Sequence, residues 1–338
     1  MHLLGSGGDG GAETYFTDLV RAQHASGLAL HAGVRVHPSR EAALREAGVA
    51  ATVFRFGGLL DFTTRPRIEG CARAIDARVL IAWMNRAARH TPVGPWARVG
   101  RLGGYYKLKN YRGFDLLVGN TVSIRDWMVE QGWPADKARH IPNFAEPQDM
   151  APADRAALAT PEGVPALLSM GRLHPAKAHD VALKALADIP EAVLWIAGSG
   201  PLERELKALA DELGVAGRVR WLGWRNDASA LYRAADLVVF PSRYEPLGNV
   251  VIQAWAHGAP VVAARAAGPE ALIRDGEDGV LVPIDDAGAL AAAIRSLLAA
   301  SDARTAMAQA GLARVTAEFS RAAVLPQWAA LFDELRPV

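Results

Sequence analysis

The stretch Val238–Ala264, VVFPSRYEPLGNVVIQAWAHGAPVVAA, decides the fold. Its β-branched start (Val238, Val239, Phe240) predicts a buried strand, and Pro241 ends it because proline has no amide to give to a ladder. A polar loop leads to Pro246-Leu247-Gly248, a helical pattern begins near Asn249, and Gly258 stands where a C-terminal helix glycine belongs. Ala259–Ala264 reads as the next strand. This strand–loop–helix–strand order carries Glu245 and the amides of Gly248, Asn249 and Val250 to the C-terminal edge of a parallel sheet, where open α/β sheets bind ligands. Amides at a helix N-terminus suit a phosphate, and a carboxylate beside them suits hydroxyls. A ligand with both is a nucleotide sugar.

Working outward, the second half starts with the strand Ala166–Met170, followed by Gly171-Arg172-Leu173-His174-Pro175-Ala176-Lys177. Ala192–Ala197 ends in Gly198-Ser199-Gly200-Pro201, whose proline fits a first helical position. Val219–Leu222 precedes Gly223-Trp224, Gly268-Pro269-Glu270 opens a helix, and Gly279–Pro283 is a last strand. Helices over Asp286–Ala299, Ser301–Phe319 and about Arg321–Leu335 follow. The first half alternates in the same way. Strands are expected at residues 2–4, Leu28–Val36, Ala51–Phe56, Arg78–Trp83, Phe114–Gly119 and Arg139–Ile141. Helices are expected at Ala12–Ala25, Arg40–Ala47, Asp61–Ile75 and Val122–Gln131. Strands separated by helices predict doubly wound parallel sheets. Residues 146–164, with Pro147, Pro152 and Pro161 and little periodicity, are the expected linker between domains at 1–145 and 165–320.

The acid Glu245, then Leu247-Gly248, then a polar residue eight positions after the acid, resembles the signature of the retaining GT-B glycosyltransferases of family 4. The second position is an acid in that pattern and is Gln253 here; an amide still reaches a ribose diol, with weaker contacts than a carboxylate makes. Gly171-Arg172 with Lys177 five residues on resembles the family's diphosphate clamp, in which two fixed cations neutralise a departing nucleoside diphosphate. Gly198 and Gly200 resemble its Gly-x-Gly-Pro turn, and Gly10-Gly11-Ala12-Glu13 its N-terminal loop.

The resemblance implies two Rossmann-like domains facing a central cleft, with the helix at 321–338 returning to the first. It implies that Glu245 holds sugar hydroxyls, that Trp224 stands where the nucleobase lies and stacks on it (a core tryptophan is the plain alternative), and that a polar side chain after Arg78–Trp83 approaches the sugar or acceptor. Asn85 is the candidate there and His90 a weaker one; the plain alternative is a helix cap and an exposed histidine. Retention would follow a front-face route, with domain closure excluding water. No Asp-x-Asp pair occurs, so no metal ion or other cofactor is expected.

At 338 residues the chain suits two domains, and an apolar fraction of 51% supports sizeable cores. A net charge of +1 argues against nucleic acid as a partner, and the single Cys71 fits a reducing cytoplasm. No run approaches the length of a spanning helix and no leader pattern opens the chain, so a cytoplasmic protein is expected. Residues 78–112 hold eight Lys and Arg and no acid, interleaved with Trp96, Tyr105, Tyr106 and Tyr111. That bias fits an anionic membrane surface or an anionic acceptor such as a phosphorylated lipid or lipopolysaccharide core, or else a solvated loop. The acceptor class that follows is a glycan or glycolipid. Gly5–Gly10 also satisfies the dinucleotide fingerprint, and with Arg35 it keeps an NADP-linked oxidoreductase open. A catalytically impaired relative is the other alternative, with Gln253 as its sign.

Overall fold

A computed structural model describes residues 1–8, 10–58 and 60–335. Asp9, within the first glycine-rich loop, lies outside the described residues. The chain forms two compact units: Met1–Asn143 with the chain from Arg321, and Phe144–Ser320.

The first unit holds a seven-stranded sheet of β1 (His2–Leu4), β2 (His31–Val34), β3 (Ala50–Val53), β4 (Val79–Trp83), β5 (Ala97–Leu102), β6 (Leu116–Gly119) and β7 (Ala138–His140). Their order is β3-β2-β1-β4-β5-β6-β7, parallel throughout. The second unit holds β8 (Ala166–Met170), β9 (Val193–Ala197), β10 (Val219–Gly223), β11 (Leu237–Phe240), β12 (Val261–Ala264) and β13 (Val280–Val282), in the order β10-β9-β8-β11-β12-β13. In each sheet the first strand sits between strands that leave it in opposite directions. The crevice outside the strand ends at that reversal is where such sheets take ligands. It falls between β1 and β4 in one unit and between β8 and β11 in the other.

The inner strands other than β5 are largely apolar on both faces, as helices covering both sides of a parallel sheet require. Leu3, Leu4, Leu80, Ala82, Val99 and Leu117 are fully buried in the first unit; Leu168, Trp195, Ile196, Val238, Val261 and Val262 are in the second. Trp255, on the helix Asn249–Ala256, is sealed by the Asp278 carbonyl, which accepts its indole N–H at 2.6 Å. The helix Arg321–Glu334 belongs to the first unit, with Trp328 buried and Glu334 paired to Arg139 at 2.6 Å.

Two segments differ from expectation. The basic stretch 78–112 is not one surface loop, because it contains β5 between β4 and β6. Arg101 is 2% exposed and Trp96 and Tyr111 are buried. Arg101 stands about 6 Å from the rings of Tyr15, Trp83 and Trp328 and donates to Asn143 Oδ1 at 2.7 Å. These aromatic faces and the amide oxygen take the place of a carboxylate. Burial nonetheless lowers the Arg101 pKa to about 10. Residues 146–164 are packed into the second unit: Thr160 accepts from the buried Trp195 indole at 2.8 Å, and Arg155 pairs with Asp236 at 2.9 Å.

Candidate active site

The ends of β8 and β11, neighbours in the second sheet, supply most of the predicted site. After β8 the chain turns through Gly171, Arg172 and Leu173 into a single 3-10 turn, Pro175–Lys177, whose His174 ring accepts from the Ala176 amide at 3.2 Å. This turn places Lys177 over the ring of Phe240, 5.4 Å from its centre, with its stem against Gly171. After β11 the loop runs to Gly248, whose φ of +84° starts the helix Asn249–Ala256 at a conformation glycine adopts readily.

Glu245 joins the two. One of its oxygens is ion-paired with Lys177 Nζ, and the other accepts from the Gly248 amide at 3.2 Å. The pair is half-buried, with side chains 25% and 13% exposed. Lys177, Glu245 and Gly248 are therefore one bonded group. The expectation that the Gly248 amide stands open to a ligand is corrected here, because Glu245 holds it. Arg172, on the same turn as Lys177, is exposed and makes no side-chain hydrogen bond or ion pair among the described residues.

Gly198 and Gly200 bring the β9 turn onto the β8 turn. A Cβ on Gly198 would stand 1.9 Å from the Gly171 carbonyl oxygen, and one on Gly200 would stand 2.4 Å from that of Leu173. The contact is sealed by Gly171 N to Ala197 O and Leu173 N to Ser199 O, both at 3.0 Å. Gly198 N in turn donates to Gly223 O at 2.8 Å, tying in the residue before Trp224. Trp224 itself is 58% exposed, with its indole N–H on Asn226 at 3.2 Å, so the core alternative for it is wrong. Leu247 is buried, while Asn249, Val250 and Gln253 are half-buried on one side of the helix start.

Three residues that sequence reasoning passed over hold this arrangement. Arg243 donates to both oxygens of Asp180 at 2.9 and 2.7 Å, to Asp285 at 2.5 Å and to the Pro175 carbonyl at 3.0 Å. Its backbone amide also reaches the Ala176 carbonyl at 2.9 Å, which fastens the Glu245 loop to the Lys177 turn. Burial opposes the Asp180 charge, but the Arg243 hydrogen bonds and charge outweigh it and hold the carboxyl below its ordinary range. His179 is buried beneath the turn, between Ser169 Oγ at 3.0 Å and the Gly171 carbonyl at 3.3 Å. Burial, the largest influence, lowers its pKa to about 4, so it is neutral near pH 7. The only sequence signal was that all three are polar residues two or three positions from a predicted site residue, Arg243 before Glu245 and His179 and Asp180 after Lys177.

Gly10, Gly11 and Asn85 belong to the first unit. Gly10 caps the helix Gly11–Ala25, and Glu13 in its first turn accepts from Ser6 Oγ at 2.6 Å. Asn85 is not a helix cap but the second residue of the helix Met84–His90, bonded to Asn110 at 2.9 Å. His90 is neither exposed nor offered to a ligand: it is buried, edge-on to Phe56, with Nε2 on the Gly57 carbonyl at 3.2 Å. Among the described residues no cluster of three or more His, Cys, Asp or Glu side chains is arranged to hold a metal ion. No helix among them is long and apolar enough to cross a membrane.

Residues 150–314 match the family described as glycosyl transferases group 1. The chain is 36% identical over 321 residues to the lipopolysaccharide core biosynthesis glycosyltransferase LpsE of Rhizobium meliloti, covering 94% of each chain. It is 34% identical over 336 residues to LpsD of the same organism, covering 98% of this chain and 97% of that one. Its fold matches Anabaena Alr3699/HepE, solved with UDP-glucose, at a TM-score of 0.86 and 22% identity over 99% of this chain and 100% of that one. Two Rossmann-like units, the assembled Lys177–Glu245–Gly248 group and these full-length relatives lead to one assignment: the chain belongs to the group 1 glycosyltransferases.

Proposed function

We propose that this glycosyltransferase moves a sugar from a UDP-sugar to an acceptor hydroxyl during lipopolysaccharide core assembly, retaining the anomeric configuration and using no metal ion. The observation that carries this reading is the Glu245 carboxylate, shared between Lys177 Nζ and the Gly248 amide at the reversal point of the second sheet. A diphosphate entering there would take Lys177 and the helix-start amides as partners, with Arg172 beside them, and release Glu245 to the hydroxyls of the transferred sugar. Asn249, Val250 and Gln253 line the helix side of the same place, where Gln253 would meet the ribose, and Trp224 would lie on the base. The names of LpsE and LpsD support the acceptor class, and the nucleotide in the HepE crystal supports a uridine donor.

In this reading the bond from the anomeric carbon to the diphosphate oxygen breaks as the acceptor oxygen bonds on the same face. The departing phosphate oxygen takes the acceptor's proton. Arg172 and Lys177 meet the charge that develops on the diphosphate, the role a metal ion has in other transferases. The family 4 signature, with Gln253 in place of its second acid, belongs to the same proposal. Asn85, whose Oδ1 accepts from Asn110, would be the polar side chain of the first unit that approaches the sugar or the acceptor. The exposed bases Arg78, Lys107, Lys109 and Arg112 are those through which the enzyme would meet an anionic membrane surface.

The test is a thermal-shift series over UDP-, GDP- and ADP-sugars with NADPH as control, followed by transfer assays with and without EDTA and by NMR of the product linkage. A rise in melting temperature with UDP-sugars alone, transfer that survives EDTA, and a retained anomer are the expected results. Stabilisation by NADPH alone, or an inverted product, would overturn the reading.

A further inference from the structure

The reversal point of the first sheet carries a cavity of about 760 Å³ that differs in its charge from the site in the second unit. It is lined by the Ser6–Gly8 loop after β1, by Arg35 after β2, and by Asn85, Arg86 and Arg89 after β4. Among the described residues no acidic side chain lines it. Arg35 and Arg86, both half-buried, and the exposed Arg89 make no ion pair with any described residue, whereas the half-buried Arg225 and Arg243 hold carboxylates.

These arginines are placed by backbone and packing. Arg35 lies 3.4 Å from where a Cβ on Gly7 would stand, and the stem of Arg86 lies 3.0 Å from the corresponding point on Gly5. Arg86 also donates to the Phe56 carbonyl at 3.0 Å. Met84 enters the helix with a φ of +62°, a strained conformation for a non-glycine residue. The helix then sets Arg86 and Arg89, three residues apart, on one side. Three like charges facing one cavity repel each other, and guanidinium groups pair well with phosphate and carboxylate oxygens.

We propose that this cavity selects the acceptor by an anionic substituent, a phosphate or carboxylate on a sugar unit, held by Arg35, Arg86 and Arg89. The inference rests on the glycan acceptor of the proposed function and adds the charge that the acceptor must carry.

The test is isothermal titration of the full chain with deacylated lipopolysaccharide core oligosaccharide. One sample is native, and one has its phosphates removed and its carboxylates reduced; UDP binding is measured on the same preparation. The native oligosaccharide is expected to bind at least about tenfold more tightly, with salt weakening it alone. The double variant Arg35→Gln/Arg89→Gln is expected to bring the two oligosaccharides within about threefold while UDP affinity stays unchanged. Arg86→Lys, which keeps the charge, is expected to keep the preference for the native form. Equal binding of the two samples, absence of binding by the native one, or a preference that survives in the double variant would overturn the proposal. Loss of UDP binding by the unaltered chain would count against the donor reading and not against this one.

Discussion

Lys177→Ala is the sharpest perturbation of the proposed chemistry. Two unit charges about 4 Å apart interact by about 4 kcal/mol at an effective dielectric near 20, a value suited to a pair near a protein surface. Lys177 is only 25% exposed and packs over Phe240, so its charge acts in surroundings less screened than open solvent. Part of that attraction is already engaged by Glu245 in the unliganded protein, and only the difference in the transition state counts toward rate. The net loss is thus about 3 to 4 kcal/mol, a fall in kcat of about 100- to 1,000-fold, the range seen when one preorganised donor is removed. The variant should still fold, because Gly248 N continues to hold Glu245 and the Arg243 fastening between the two turns is untouched. Steady-state transfer from the UDP-sugar measures the first effect, and urea unfolding measures the second. Transfer within about threefold of the unaltered enzyme would refute the placing of Lys177 at the departing diphosphate.

Other outcomes follow from single features. His179 is held neutral with a pKa of about 4, so its unfolded form binds a proton near pH 6.5 that the folded form refuses; stability in urea should fall by up to about 3 kcal/mol between pH 6.5 and 4, and His179→Asn should flatten that slope by about one proton. Gly198→Ala must displace the Gly171 carbonyl, 1.9 Å from the new Cβ, and should cost about 3 kcal/mol or more, while Gly217→Ala, which meets open space, should change unfolding by no more than about 0.5 kcal/mol. Trp224→Ala, at a 58% exposed site, should leave the melting temperature nearly unchanged and weaken UDP binding about tenfold by titration. Gln253→Glu should tighten UDP-sugar binding about fivefold, as a charge-assisted hydrogen bond replaces a neutral one, and unchanged affinity would remove Gln253 from the ribose.

The second sheet was legible because its strands are short apolar runs stopped by glycine or proline. The expected Ala166–Met170 coincides with β8, and the helix expected near Asn249 begins there. β5 was not, since ARVGRL has neither a continuous apolar run nor polar residues that read as one solvated face. Its central place depends on rings from Tyr15, Trp83 and Trp328, the last far along the chain from the other two, closing around Arg101. The same limit hid the packing of residues 146–164, whose partners Trp195 and Asp236 lie far along the chain. Within the site, Glu245 and Gly248 could be named from local turn chemistry, and Lys177 from the resemblance of its turn to the diphosphate clamp of family 4. That Glu245 would itself occupy the Gly248 amide could not, because a hydrogen bond across a turn leaves no mark in residue type.

The two sheets use one geometric device with opposite charge bookkeeping. Each reverses direction between its first strand and the fourth, counted along the chain; the side chains proposed to act follow β8 and β11 in the second unit and β2 and β4 in the first. In the second unit the cation arrives with its own carboxylate, Lys177 with Glu245, so an anionic ligand must displace a partner already in place. In the proposed reading that exchange would let one carboxylate serve two states, holding the turn when no ligand is present and turning to hydroxyls when one is. In the first unit Arg35, Arg86 and Arg89 have no described carboxylate to displace, so an anion entering there meets mutual repulsion that it relieves. On these proposals a ligand of the first unit would gain from its charge alone, whereas a ligand of the second would have to bring both charge and hydroxyls. A nucleotide sugar brings both, and a charged glycan suits the first, which is why the proposed donor and acceptor cannot be interchanged between the units.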